Sequence, residues 1–104
     1  MHARRRVWLR ELLIRPRAVG DLEGIWLYTL KKWSAEQADR YLRNINDALG
    51  RLREDAAAGR SAETIRADYW SLHVGRHLVF HTFTDDAVSV RRVLHDQMDF
   101  RRHL

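Results

Sequence analysis

Between Ala18 and Leu52 the apolar residues return every three or four positions, and the pattern is interrupted once, at Trp33-Ser34. Ala18, Leu22, Ile25, Trp26, Thr29 and Trp33 form one stripe, which predicts an amphipathic helix from about Arg17 to Lys32. Ser34-Ala35-Glu36-Gln37 has the form of a capping box, with Ser34 as N-cap and Gln37 three residues on. A second stripe follows in Ala38, Tyr41, Leu42, Ile45, Leu49 and Leu52, while Asp39, Arg40, Arg43 and Asp47 take the opposite face. So short a connection makes two helices fold back on each other, so the chain contains an antiparallel helical hairpin. Each helix must bury its stripe against something.

The remaining segments supply a surface with the other period. Val7 to Ile14 is rich in Val, Leu, Ile and Trp and stops at Pro16, which predicts an N-terminal strand. Pro16 cannot extend a ladder but suits the first turn of a helix. Asp55 to Ala62 is small and polar and reads as a surface loop. Beyond it Trp70, Leu72 and Val74 alternate with Ser71 and His73. Gly75-Arg76 turns into His77 to Phe83, and Asp85-Asp86 turns into Ala87 to Leu94. The expected fold is α+β: an N-terminal strand, then the helical hairpin packed on an antiparallel sheet, which a three-stranded meander completes. A short helix or tail follows from His95 to Leu104. Residues 1–104 read as one domain, with 1–6 a basic flexible start.

Charge narrows the function. Nineteen Lys and Arg against fourteen Asp and Glu give a net charge of +5, and Lys31 and Lys32 are the only lysines. Arginine captures carboxylates and phosphates in bidentate geometry, so the surplus favours an acidic partner, nucleic acid or polypeptide. There is no cysteine, which excludes disulfides and thiolate metal sites. No apolar run approaches a membrane span, and the basic start is followed by charge-broken Val7-Trp8-Leu9-Arg10-Glu11 rather than a secretion signal. A cytoplasmic protein without membrane contact is expected.

Several residues admit two readings. Trp26, Trp33, Tyr41 and Leu42 sit at helical spacing and are expected in the core. Trp8 and Trp70 are either partly buried packing or the wall of a partner groove. The six histidines have no recognised ligand spacing, so no metal or other cofactor is expected. His73, His81, Arg91 and His95 could meet on one sheet face and supply the acid, base and cation of metal-independent RNA cleavage. Any basic strand face would carry the same residues. Arg4-Arg5-Arg6, Arg91-Arg92 and Arg101-Arg102 are solvated surface or phosphate contacts, and no helix-turn-helix, zinc finger or aromatic RNA-binding motif accompanies them.

From about Ala18 to Leu104 the chain resembles the ParE branch of the RelE/ParE toxin superfamily. Asp21-Leu22-Glu23-Gly24-Ile25-Trp26-Leu27-Tyr28 is similar to its DL-x-x-IW-x-Y segment, and Trp33 to Ala38 to its helix–helix corner. Ile65-Arg66, Tyr69 and Gly75-Arg76-His77-Leu78-Val79-Phe80 resemble the approach to the meander and its G-x-H-x-x-F stretch. Arg92-Val93-Leu94-His95-Asp96-Gln97-Met98-Asp99 resembles the RVLH-x-x-MD ending. The chain departs from the pattern at Ser34 (usually glycine), in the proline-free loop from Asp55 to Arg60, at Asp68 and Trp70 (commonly glycine and arginine), and at His81 (commonly tyrosine).

The resemblance implies a toxin that inhibits DNA gyrase by protein–protein binding, not by catalysis. It implies neutralisation by a ParD-like antitoxin, whose flexible C-terminal segment wraps the toxin and whose N-terminal part alone carries the operator DNA contact. On that basis toxicity is expected in Arg92, His95, Met98, Asp99, Phe100, Arg101 and Arg102, and antitoxin binding at Leu22, Trp26, Trp70 and Leu72. Truncation after Leu94 is expected to leave a foldable, non-toxic protein. RelE-like relatives cleave mRNA on the ribosome, and His81, Arg92 and His95 are the residues that alternative would use.

Overall fold

The computed structural model describes residues 9–104. Val7, Trp8 and the Arg4-Arg5-Arg6 cluster lie outside the described residues. The elements are β1 (Glu11–Ile14), α1 (Pro16–Lys32), α2 (Ala35–Glu54), β2 (Arg60–Ser61), β3 (Trp70–Val74), β4 (His77–Phe83) and β5 (Ala87–His95), with a short 3-10 turn at Phe100–Arg102. Pro16 opens α1, where its missing N–H costs nothing. The capping box forms as expected: the Ser34 hydroxyl accepts from the Gln37 N–H at 3.1 Å, and the Gln37 side chain accepts from the Ser34 N–H at 3.4 Å.

One five-stranded sheet results, in the order β1-β5-β4-β3-β2. The meander is antiparallel, but β1 runs parallel to β5, with Leu12 opposite Val88 and Ile14 opposite Val90. The sheet is therefore mixed rather than antiparallel throughout. Alternation along a strand does not encode direction. The long helical connection lets β1 return beside a distant strand in parallel, which a hairpin turn cannot do. The loop after α2 also holds a residue pair not expected as strand, Arg60–Ser61, on the outer edge of β3.

The sheet is covered on both sides. On one face Ala18, Ile25, Ile45, Leu49 and Leu52 of the helices pack on Val79, Val88, Val90 and Val93. On the other, Phe80 and Leu94 are covered by Ala62 and Tyr69 of the loop and by Met98, Phe100 and Leu104 of the tail. Two residues separate Val90 from Val93, which strict alternation would place on opposite faces, although both belong to the helix-side core. A β-bulge accounts for this: Phe80 pairs with Arg92 and His81 with Val90, so Arg91 has no opposite residue.

Two conformations merit notice. Gly75 turns β3 into β4 with φ +60, and a Cβ there would stand 2.7 Å from the Tyr41 ring. Asp68 has φ +68, in the left-handed region, at the position where the resemblance expects glycine. Trp33, expected in the core, is the residue that caps the C-terminus of α1 and is 50 % exposed. The helix ends before its stripe reaches that indole.

Candidate functional site

β1 stops at Ile14, and its last bond to β5 is made by the Arg15 N–H to the Val90 carbonyl at 3.0 Å. Beyond that point the edge of β5 is served by a side chain. The Asp21 carboxylate accepts the Val93 N–H at 2.9 Å and the Arg92 guanidinium through two bonds of 2.7 and 2.8 Å. Arg92 also donates to the His103 carbonyl at 2.6 Å, as Arg17 does at 3.2 Å. One ion pair thus joins α1, β5 and the tail. Hydrogen bonding to Asp21 outweighs desolvation and raises the Arg92 pKa, keeping the guanidinium charged.

The histidines are divided. His81 is fully buried, and its Nε2 donates to the Ala56 carbonyl at 2.7 Å, so the unprotonated Nδ1 has no partner among the described residues. Burial pushes its pKa down from the ordinary value, with the Ala56 carbonyl acting the other way. His77, His95, His73 and Asp96 gather at the opposite end of the meander. Tyr41 reaches them from α2: its hydroxyl lies 2.6 Å from His77 Nδ1 and accepts the Arg76 N–H at 2.9 Å. Burial, then the neighbouring His95, lowers the His77 pKa. His73 and His95 each approach Asp96 at 3.4 Å. Among the described residues no group of His, Asp or Glu has the geometry to hold a metal ion.

The three residues that the nuclease alternative would use sit in different settings. His81 lies inside the protein, Arg92 is held by Asp21, and His95 belongs to the cluster around Asp96. The tail residues also divide. Met98 and Phe100 face the second core, the Phe100 ring lying edge-on to Phe80 at 5.0 Å between centroids. Asp99, Arg101 and Arg102 are exposed, and Arg101 donates to the Thr64 carbonyl at 3.2 Å.

Among the described residues, three of the open surfaces carry residues expected to meet the antitoxin. An apolar groove of about 460 Å³ runs between β1 and α1, lined by Ile14, Val19, Leu22, Glu23, Trp26 and Leu27. Leu27 is 57 % exposed, and Tyr28, Leu30 and Trp33 carry apolar surface on along the helix. On the sheet face away from the helices lies a groove of about 690 Å³ reaching from Leu13 and Arg15 to Arg66, Trp70 and Arg91. Leu72 packs on the helix-side core and borders a third hollow, with Arg51, Glu54, Asp55 and Ala58. The expected antitoxin residues are therefore spread over all three surfaces: Leu22 and Trp26 share the first, Trp70 lines the second and Leu72 the third. Asp21 was not singled out in advance. Its place in the DL segment is visible in the sequence, but its partner is 71 residues away.

A model of the ParE toxin of type II toxin–antitoxin systems, parDE, matches residues 12–100. Toxin ParE1 of Mycobacterium tuberculosis is 38% identical over 93 residues, covering 88% of this chain and 95% of the relative. Toxin ParE1 of Caulobacter vibrioides is 36% identical over 88 residues, covering 85% of this chain and 91% of the relative. A solved chain described as the chromosomal ParDE TA system from P. aeruginosa superimposes with a TM-score of 0.75 at 18% identity, over 84% of this chain and 96% of the other. At that identity the likeness concerns the fold.

Proposed function

The chain belongs to the ParE toxin family of type II toxin–antitoxin systems, and from that premise we propose that it inhibits DNA gyrase by binding it and is neutralised by a ParD-like antitoxin. The observation that carries binding over catalysis is that His81 and Arg92 are both engaged inside the protein. A nuclease needs its acid, base and cation around one open cleft. None of His81, Arg92 and His95 lines the grooves described above.

The antitoxin reading rests on the α1 groove. A disordered segment that folds on binding must cover apolar surface to offset its ordering cost, and Leu22, Trp26 and Leu27 supply that surface. To reach Trp70 and Leu72 as well, the segment must leave α1 and continue to the β3 side of the sheet. Operator DNA is contacted only through the antitoxin. For gyrase, the exposed Asp99, Arg101 and Arg102 are the surface of the tail, with Met98 and Phe100 anchoring it and Arg92 and His95 at its base.

Induction of the protein without its partner is expected to stop replication before translation, and purified protein should accumulate cleaved DNA with gyrase. Ribosome-dependent cleavage of message, with replication continuing, would overturn the proposal.

A further inference from the structure

Helix α1 buries Ala18, Ile25 and Thr29 against the sheet and turns apolar surface outward as well. Leu27 and Tyr28, 57 % and 61 % exposed, are the most exposed large apolar side chains among the described residues. Residues four apart form rows along a helix, and Glu23, Leu27 and Lys31 make one such row, all three exposed. The neighbouring row is Gly20, Gly24 and Tyr28, so two glycines leave a trough beside the first row. This chain needs neither glycine for its own packing. A Cβ at either would meet no packing neighbour within 4 Å, and glycine inside a helix costs stability that alanine does not.

Charge decides what approaches this face. Among the described residues neither Glu23 nor Lys31 has an opposite charge within salt-bridge distance. They stand one turn either side of Leu27 with opposite sign, so the row is complementary to its own reverse. An acidic partner would satisfy Lys31 and be repelled by Glu23, and a basic partner the converse. A two-fold contact requires that one residue meets a second while the second meets the first. A helix laid antiparallel on its own copy about Leu27 meets that requirement.

We propose that the free chain self-associates through this face, α1 packing antiparallel on α1 of a second copy. Leu27 then lies against the partner's Leu27, and Glu23 lies opposite the partner's Lys31 at both ends of the contact. Each exposed row sits in the other copy's glycine trough, which is the interdigitation of four-apart rows most often seen between helices. The proposal concerns the chain alone and stands without the gyrase or antitoxin reading. Because Glu23 and Leu27 also line the apolar groove, self-association and occupation of that groove exclude each other.

The test is sedimentation velocity of the full-length protein alone, over a dilution series at about 0.15 M salt. There the +5 charge of each copy is screened beyond about 8 Å. A reversible monomer–dimer equilibrium is expected. Lys31→Glu or Glu23→Lys sets like charges against each other at both ends and should weaken dimerisation about ten-fold. The double exchange, Glu23→Lys with Lys31→Glu, should return it to within about two-fold of the parent. Arg43→Glu makes the same change of charge on the exposed face of α2 and should leave the equilibrium unchanged. Gly24→Gln fills the trough and should favour the monomer while raising its melting temperature, since glutamine is the better helix former. That combination separates loss of the contact from misfolding. A chain monomeric at every concentration, a double exchange no better than either single change, equal weakening by Arg43→Glu, or a Gly24→Gln variant that dimerises like the parent overturns the proposal.

Discussion

Asp21 satisfies three donors at the edge of β5, and neither it nor Arg92 has much contact with water: their side chains are 14% and 12% exposed. Removing the carboxylate leaves a nearly buried guanidinium and a strand N–H without their acceptor. Asp21→Ala should therefore lower stability to urea by about 3 kcal/mol. Asp21→Asn, which keeps one oxygen acceptor, should cost less. A variant Asp21→Ala as stable as the parent would show that the clamp contributes nothing. The histidines act in another direction. Burial lowers the folded-state pKa of both His81 and His77 below the ordinary 6.5, so the unfolded chain takes up protons first as pH falls. Their contribution is stabilising above about pH 6.5, where both forms are neutral, and stability is lost as pH drops from there toward the lowered folded values. Melting temperature measured from pH 8 to pH 5 should decline over that window. His81→Tyr, restoring the residue the family commonly carries, should flatten the decline.

Among the elements, the tail behaves least like an appendage. Met98, Phe100 and Leu104 close the second core over Phe80 and Leu94, and the His103 carbonyl receives Arg92 and Arg17. Truncation after Leu94 would strip that cover and expose the sheet face, so the foldable truncated protein expected from the sequence is not supported by the packing. Toxicity has to be separated from stability by smaller changes. Phe100→Ala should cost about 2 kcal/mol in urea, somewhat below the range for a fully buried ring. The double substitution Arg101→Ala with Arg102→Ala removes only exposed groups and should leave melting nearly unchanged while reducing growth inhibition. Full toxicity in that double variant would move the active surface away from the tail.

Across the whole molecule, the apolar groove on α1 shares no lining residue with the tail from Met98 to Leu104, so silencing and toxicity need not compete for one surface. Leu27→Glu, at a half-exposed position on the α1 groove, should change stability by less than about 0.5 kcal/mol. It should nonetheless weaken rescue when toxin and antitoxin are expressed together, and complete rescue would remove the groove from the antitoxin's path. The α1 and α2 stripes, the Ser34 cap and the Gly75 turn were legible in the residues because each is set by neighbours within a few positions. The family-like segments likewise carried the resemblance, since their order and spacing are read in the chain itself. Local pattern could not reveal the parallel seating of β1, the bulge that parts Arg91 from Arg92, the Asp21 clamp, or the burial of His81 under Ala56. Each joins residues far apart in sequence. Periodicity predicts that a face is buried but not what it is buried against, and a titratable side chain takes its role from the groups that folding places around it. The sequence by itself determined the helices, the meander and the family. Only the tertiary structure decided which charged groups are engaged inside the protein and which are left for a partner.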